Sequence, residues 1–233
     1  MRRLIRFVSL VSFFLLACLV AGSLWLSLSA SGLQAVVQLA SQASGGRLQI
    51  EQSSGRLAGP WHIEHLRWTS PEIKLSLDKL RLDWQPAALL HGKLAISELG
   101  AEQIRLELAS SNDASPPPSA LRLPLAVDIE KITISQFDWL GIFSANQISG
   151  QLSSDGESHH LSNLVAHSGN LSLSGAASLG GTAPLPLNFS ARLSGTLDER
   201  PLQLALNGDG PLARIRLHAQ AEQGIKGKGG ATI

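Results

Sequence analysis

The sequence predicts a mainly β fold that follows one amino-terminal transmembrane helix. Three features support this: a long uncharged apolar run at the amino terminus, apolar residues at every second position through most of the remaining chain, and recurrent turns with glycine and asparagine. With 233 residues, 44% hydrophobic and 16% charged, the chain can build one or two domains and lies outside the disordered class. Its net charge of +1 gives no electrostatic footprint for nucleic acid, so no nucleic-acid partner is expected.

Residues 7–28 form the predicted membrane span. These 22 residues carry no charge, and as a helix they extend about 33 Å, which matches the roughly 30 Å hydrocarbon core of a bilayer. Three arginines lie within residues 1–6, and the next charge is Arg47. The positive-inside rule therefore predicts a cytoplasmic amino terminus, with the bulk of the chain on the other side of the membrane.

A cleaved signal peptide is the main alternative for this run, because Ser29, Ala30 and Ser31 offer small residues to a peptidase. The run exceeds the roughly 7 to 15 residues of a usual signal core, which favours an uncleaved anchor. A lipoprotein cleavage box ending at Cys18 fits less well, since the apolar run continues past it. As Cys18 is the single cysteine, no disulfide can form within the chain.

Residues 29–46 are predicted to form a short amphipathic helix and a connector. Apolar residues follow helical spacing from Leu33 to Ala40, and glutamines recur every four residues beside them. Gly45 and Gly46 should end the helix. Such a helix can rest on a membrane surface or close the end of a sheet.

Residues 47–109 are predicted to be the first β-region. Apolar side chains alternate from Ile73 to Leu77 and again from Leu80 to Trp84. The parity changes across Asp78 and Lys79, so a β-bulge or a turn is expected there, which would return both sets to one face.

A helical turn should interrupt this region. Pro86 suits its first position and Gly92 its end, so Leu89 and Leu90 are expected to cap one edge of the sheet. Alternation resumes in residues 93–98 and 103–108, which predicts two further strands.

Residues 110–119 are rich in proline and serine and are predicted to be a loop or linker. Residues 120–233 continue the β pattern. They begin with an alternating run from Leu121 to Ile129, predicted to be a strand with Pro124 at an edge or a bulge, and another parity change precedes Ile132.

From Gly141 onward the sequence predicts short strands separated by turns. The turn signals lie at residues 155–156, 169–170, 180–181 and 207–210. They follow no strict period, which argues against a countable repeat such as a propeller.

Catalytic motifs are nearly absent, and no enzyme activity is expected. Ser76 and Lys79 fit a Ser-x-x-Lys pattern, but that serine belongs at the start of a buried helix, and here it lies in an alternating strand. The glycines at 208 and 210 imitate a dinucleotide loop without a surrounding βαβ unit, and Pro211 favours a hairpin connection.

His159 and His160 lie close to Asp155 and Glu157, a set that can in principle bind a metal ion. Adjacent histidines point to opposite sides of an extended chain, so a solvated loop is the favoured interpretation, with no metal and no cofactor. The tryptophans at 61, 68, 84 and 139 are expected to be core residues more often than ligand-stacking platforms.

One spaced sequence pattern in the first β-region is similar to that of a known protein family. The run Leu80-x-Leu82-x-Trp84-x-Pro86-x-x-Leu89-Leu90-x-Gly92, with the glycines and proline that precede it, resembles the amino-terminal region of the TamB family, the inner-membrane subunit of the translocation and assembly module of Gram-negative bacteria. The chain has Trp61 where the family commonly has leucine. Family members are far longer and have a carboxy-terminal domain that this chain lacks, so it is expected to be a fragment or the product of a truncated reading frame. The motif positions are Gly55, Leu57, Gly59, Pro60, Trp84, Pro86, Leu89, Leu90 and Gly92.

Periodicity alone leaves two arrangements open, a closed sandwich of two sheets and an elongated sheet whose apolar face lines an open groove. The resemblance implies the second: an elongated, folded-over, antiparallel-rich β-sheet of the AsmA-like type, which carries phospholipids across the periplasm. The groove candidates are Ile73, Leu75, Leu77, Leu80, Leu82, Trp84, Leu94, Ile96, Ile104, Leu106, Leu121, Leu123, Leu125, Val127 and Ile129.

The resemblance also implies partners and a location. The expected partners are phospholipid, the inner membrane and an Omp85-type outer-membrane barrel protein, and the expected location is the inner membrane, with a single span and a periplasmic bulk. Two other functions stay open. One is a scaffold for outer-membrane β-barrel and autotransporter assembly, which would pair its strand edges with client strands. The other is a membrane-anchored β-module with a closed core.

Overall fold

The structure, a computed structural model, describes residues 29–108, 120–197 and 200–221, which form one α-helix, one short 3-10 helix and one sheet. The sheet contains 11 strands in sequence order, and every adjacent pair is antiparallel except β4 and β5, which are parallel. The mainly β, antiparallel-rich prediction is confirmed. The strands are β1 (Leu48–Gly55), β2 (Trp61–Thr69), β3 (Ile73–Gln85), β4 (Lys93–Leu108), β5 (Ala126–Trp139), β6 (Phe143–Ser154), β7 (Ser158–Ser168), β8 (Leu171–Gly180), β9 (Pro186–Leu197), β10 (Arg200–Pro211) and β11 (Arg216–Ala221).

The helix, α1 (Ala30–Ala43), confirms the predicted amphipathic segment. Its first turn is capped by Ser29, whose Oγ accepts a hydrogen bond from the Gly32 amide at 3.2 Å. Leu33 is buried, and Ser41 Oγ donates to the Leu48 carbonyl at 2.8 Å, so the helix packs against β1. Across the described part of the chain, no helix has the length and hydropathy needed to cross a bilayer. The predicted span at residues 7–28 lies outside it.

Apolar residues face each other from strand to strand. Leu75 lies opposite Trp68 on one side and Leu106 on the other, and Leu82 lies between Trp61 and Leu99. The register of the sheet therefore joins the apolar positions into one continuous face, as the alternation predicts.

The opposite face is charged, and ion pairs cross neighbouring strands on it. The Nζ to carboxylate distances are 3.0 Å for Lys74 and Glu107, 2.6 Å for Lys79 and Glu102, 2.7 Å for Lys93 and Asp128, and 3.1 Å for Lys131 and Glu98. These pairs join β3 to β4 and β4 to β5, so opposite charges support the register at the parallel junction.

The predicted break at Asp78 and Lys79 is a bend inside a continuous strand, because β3 runs through it. Lys79 has a φ of 49°, which changes the face to which the following side chains of β3 point. The neighbouring strands change face at the residues opposite Asp78 and Lys79, so the strand pairing continues in register. Two consecutive polar residues mark this level in each of the strands β1 to β6. They are Glu51-Gln52, Glu64-His65, Asp78-Lys79, Glu102-Gln103, Ser135-Gln136 and Asn146-Gln147.

No second sheet covers the apolar face among the described residues. Few apolar side chains there are fully buried, and many at the strand ends are open to solvent, such as Leu108 at 43%. A closed two-sheet sandwich would bury these side chains. The buried apolar residues of the described part are Leu33, Ile63, Ile96, Ala101, Ile129, Ala145 and Leu185.

The strands end at two rims. The Trp139 rim holds the turns β2–β3, β5–β6 and β7–β8. The Gly92 rim holds the connections β1–β2, β3–β4, β6–β7 and β8–β9. The chain leaves β4 at the Trp139 rim and enters β5 at the Gly92 rim, which makes these two strands parallel.

Several sequence predictions for this region are wrong. β4 is one strand and not two, because Leu99 and Gly100 stay paired with β3 and β5 across the expected break. The run predicted as a strand from Leu121 begins its sheet pairing only at Ala126. Its parity change before Ile132 is confirmed as a register shift between β5 and β6.

Residues 120–125 instead cross the turns of the Gly92 rim. The Leu121 amide donates to the Gly181 carbonyl and the Leu123 amide to the Gly156 carbonyl, each at 2.9 Å. The backbone of this segment is thus satisfied by two turns and not by a neighbouring strand. The predicted loop at 110–119 lies outside the described residues.

Residues 207–210, predicted as a turn, lie within β10. Gly208 faces Phe189 on β9, and a Cβ at position 208 would sit 2.1 Å from Phe189 Cε1. The glycine here gives room to an aromatic ring on the neighbouring strand.

Candidate functional site

The apolar face brings most of the predicted groove residues together. On it Leu77 lies opposite Ile104, and Leu94 and Ile96 lie beside Val127 and Ile129 of β5. Three predicted members, Leu121, Leu123 and Leu125, lie outside the strands, on the Gly92 rim. The candidates that do lie on the face are Ile73, Leu75, Leu77, Leu80, Leu82, Trp84, Leu94, Ile96, Ile104, Leu106, Val127 and Ile129.

An apolar cavity of about 490 Å³ lies on this face, with walls from β5 to β9. Ile134 and Phe137 lie on either side of the polar pair Ser135-Gln136 in β5 and both line the cavity, so both side chains lie on the same side of the sheet. The cavity lies within the volume range of small-molecule sites, roughly 300–1,000 Å³. Its main apolar walls are Ile134, Phe137, Phe143, Ala145, Ile148, Leu164, Ala166, Leu171, Leu173 and Leu193.

An aromatic cluster forms one end of the cavity. The ring centroid of Phe143 lies 5.6 Å from that of Phe137 and 5.9 Å from that of Trp139. The groove prediction missed these residues because it followed the longest alternating runs. The signal it overlooked is the aromatic alternation of Phe137 and Trp139 at the end of β5.

Two tryptophans close the other end of the face, at the Gly92 rim. The indole Nε1 groups of Trp61 and Trp84 both donate to the Leu57 carbonyl, at 3.1 Å and 3.0 Å. Gly55 ends β1 directly before the turn that carries Leu57, and a glycine is needed at position 55 because a Cβ at that position would lie 2.1 Å from the Pro60 carbonyl oxygen. The spaced motif therefore builds one hydrogen-bonded end of the sheet. These tryptophans are partly exposed and are not buried core residues.

The helical turn predicted after Trp84 is confirmed as a 3-10 helix, Pro86–His91, and Gly92 follows it with a φ of 70°. Leu90 does not cap the sheet as predicted, because 87% of it is exposed. Leu89 is exposed as well, at 40%.

His159 lies in β7 and not in a solvated loop. Its Nε2 is 2.6 Å from the Leu121 carbonyl oxygen, which can only accept, so Nε2 carries the hydrogen and donates. The buried hydroxyl of Ser154 is 2.8 Å from Nδ1. The histidine thus fastens residues 120–125 to the β6–β7 turn. No cluster of three or more potential metal ligands occurs in the ranges that the structure describes.

Asp155 shapes the β6–β7 turn beside His159. Its Oδ1 accepts from the Ser158 amide at 2.6 Å and from the Glu157 amide at 2.9 Å. These two backbone hydrogen bonds lower the pKa of the Asp155 carboxyl below its usual value. A carboxylate is therefore the stable form in the folded turn.

A second depression, of about 340 Å³, lies on the charged face and includes Lys79, Glu98 and Glu102. The Lys79 ammonium hydrogen-bonds to Glu102, and this pair raises the pKa of Lys79. Ser76 lies in mid-strand between Arg67 and Arg105 and starts no helix, as the sequence indicates for this Ser-x-x-Lys pattern. The depression is lined by ion-paired side chains, with Thr133 and Ser135 beside them.

Residues 18–137 match the family described as TamB, N-terminal domain. The match spans just over half of the chain and includes the Trp84 motif and strands β1 to β4. No curated protein and no solved structure matches the chain significantly. The chain belongs to the TamB family, in its N-terminal region.

Proposed function

We propose that this chain is the membrane-anchored start of a periplasmic bridge that carries phospholipids along its apolar face. One observation carries the proposal. The described strands form a single sheet with one continuous apolar face and a 490 Å³ apolar cavity that no second sheet fills. Membership of the TamB family agrees with it.

The energy of lipid transfer explains what such a face is for. Each methylene exposed to water costs about 0.8 kcal/mol, so a sixteen-carbon acyl chain faces a barrier on the order of 13 kcal/mol in an aqueous space. A tail lying on Leu75, Leu106 and Ile129 stays in contact with apolar groups while the headgroup stays in water. The barrier to movement along the sheet is then small.

The amino-terminal sequence fits this role. Residues 7–28 would hold the protein in the inner membrane with residues 1–6 in the cytoplasm, so the sheet would start at the periplasmic surface. Phospholipids would enter there and move along the sheet toward an outer-membrane partner of the Omp85 type.

Assembly of outer-membrane β-barrels is the second candidate. β11 pairs with β10 on one side, and no described strand pairs with its other edge. An edge of this kind can pair with a client strand through backbone hydrogen bonds. The two candidates place their ligands at different parts of the sheet.

Photocrosslinking in native membranes separates the two functions. A probe at Leu82 lies on the apolar face, a probe at Asp83 lies on the charged face of the same strand, and a probe at Gln220 lies on β11. Lipid transport predicts phospholipid adducts at Leu82 and none at Asp83. Adducts with nascent barrel strands at Gln220, without lipid at Leu82, would contradict lipid transport and support assembly.

A further inference from the structure

The turn between β5 and β6 has an unusual composition. Hairpin turns are normally made of glycine, asparagine, aspartate, proline and serine. At the same rim the β2–β3 turn contains Ser70 and Glu72, and the β7–β8 turn is Gly169 and Asn170. The β5–β6 hairpin instead reads Trp-Leu-Gly-Ile-Phe over residues 139–143, which we call the apolar tip.

The apolar tip is a fixed turn whose large side chains project into solvent. The Ile142 amide donates to the Trp139 carbonyl at 2.9 Å, and the Leu140 amide donates to the Leu106 carbonyl at 2.9 Å. Gly141 has a φ of 81°, which suits the third residue of a type II turn. Although both ends are hydrogen-bonded, Leu140 is 52% exposed and Ile142 is 64% exposed. Exposed apolar side chains grouped on one turn mark an interaction site.

The surroundings of the apolar tip differ on its two sides. Phe143 lines the 490 Å³ apolar cavity, so that cavity reaches the tip. Leu140 lines a depression of about 250 Å³ on the charged face together with Arg67, Lys74, Arg105 and Glu107. Lys74 is ion-paired with Glu107, and Asp138 lies opposite Arg105 on β5. An apolar tip next to cations and an aromatic residue at the boundary is the arrangement that suits the interfacial region of a bilayer.

We propose that the apolar tip inserts into the surface of a phospholipid bilayer, with the nearby cations facing lipid phosphates and the cavity behind Phe143 open to a tail. This inference rests on the proposed function and specifies where lipid enters. The apolar run at residues 7–28 ends directly before α1, which packs on β1, and this keeps the sheet within reach of the membrane. The apolar tip lies at the rim where α1 leads into β1, because Leu48 lies opposite Trp68 at that end of the sheet. The apolar run that precedes α1 therefore favours a bilayer over a second copy of this chain as the occupant.

The test uses the full chain in proteoliposomes of phosphatidylethanolamine with a minority of phosphatidylglycerol. With Cys18→Ser as background, an environment-sensitive fluorophore is attached through Ile142→Cys. Asn170→Cys, in the polar turn of the same rim, serves as the matched control. Both positions lie in exposed turns, so the fold should tolerate the label. Lipids with brominated acyl chains then report contact with the tail region.

Insertion predicts that the Ile142 probe emits at shorter wavelength and loses most of its emission to brominated lipid, while the Asn170 probe does neither. A water-like and unquenched Ile142 probe would overturn the inference. The inference would also be overturned if the Ile142 probe emitted at short wavelength without quenching by brominated lipid, and if its emission returned to the water-like wavelength when the protein was diluted among more vesicles. That result would mean contact with a second copy of the chain. Lipid capture at Leu82 together with a water-like Ile142 probe would overturn the insertion of the tip but leave the proposed function standing. An inserted Ile142 probe without lipid capture at Leu82 would remove only the proposed function.

Discussion

Trp61 and Trp84 share one hydrogen-bond acceptor, the carbonyl oxygen of Leu57, with their rings nearly perpendicular at 80° and their centroids 6.4 Å apart. The residues belong to neighbouring strands, and Leu57 belongs to the turn that precedes β2. The pair therefore ties the β1–β2 turn to the apolar face at the Gly92 rim. Either indole alone still satisfies the carbonyl.

A double-mutant cycle on this pair should be non-additive. Trp61→Phe or Trp84→Phe alone should lower the free energy of unfolding by about 1 kcal/mol or less, because Leu57 keeps one donor. The double variant should cost more than the sum of the two by about 0.5–1 kcal/mol, since the carbonyl then lacks a partner. Denaturant unfolding followed by circular dichroism measures the cycle. Additive costs would show that the shared acceptor contributes nothing.

Lys79 and Lys74 form a matched pair for testing the bend in β3. Both lysines pair with a glutamate on β4, but only Lys79 has a positive φ. Lys79→Val should lower the free energy of unfolding by about 1–3 kcal/mol, because a β-branched residue is strained in the left-handed region. Lys74→Val should change it by less than about 0.5 kcal/mol, since valine suits a regular strand. Equal costs at the two sites would contradict a strained bend.

Stability should depend on pH through Asp155. The pKa of Asp155 is lower in the folded chain than in the unfolded chain, where it is about 3.9. The stability that this carboxylate contributes is therefore fully present above the unfolded pKa and is lost as pH falls through the folded pKa. Asp155→Ala should therefore lower the Tm near neutral pH, and its difference from the unmodified chain should vanish in strong acid. Asp155→Asn keeps an acceptor that does not titrate, so its Tm should lack this acid-dependent loss. A constant difference between Asp155→Ala and the unmodified chain at all pH values would contradict the role of the carboxylate.

Alternation in the sequence was sufficient to predict the strands around Leu75, Leu82 and Ile129 and the bend at Lys79. It failed where backbone partners come from distant parts of the chain. Leu121 and Leu123 alternate like strand residues, but their amides bond to turns contributed by residues more than thirty positions later. The parallel pairing of β4 and β5 was also hidden, because alternation is the same in parallel and antiparallel strands.

Only part of the candidate site was predicted, again because alternation does not show which distant strands lie side by side. Leu106 and Ile104 stand out in a long alternating run, whereas Leu173 and Leu193 belong to shorter alternating runs in β8 and β9. These two residues become cavity walls only because the sheet places five strands side by side. The apolar tip was visible in the sequence as a turn without polar residues around Gly141. A search of the sequence for turns that lack the usual polar residues would have identified the apolar tip.

Leu106→Asp distinguishes an apolar face that is open to lipid tails from one that is filled by protein. On an open face the new carboxylate stays near water, so the free energy of unfolding should fall by less than about 2 kcal/mol, against about 3–5 kcal/mol for an uncompensated charge in a closed core. Ser76→Asp, on the charged face, is the control. The measurement combines denaturant unfolding of the full chain with phospholipid capture by a crosslinker at Leu82. With an open face, Leu106→Asp should stay folded and lose the lipid adduct, while Ser76→Asp should keep it. An unfolded Leu106→Asp chain would mean that protein fills the face, and a folded one that captures lipid as before would mean that lipid does not lie at Leu106.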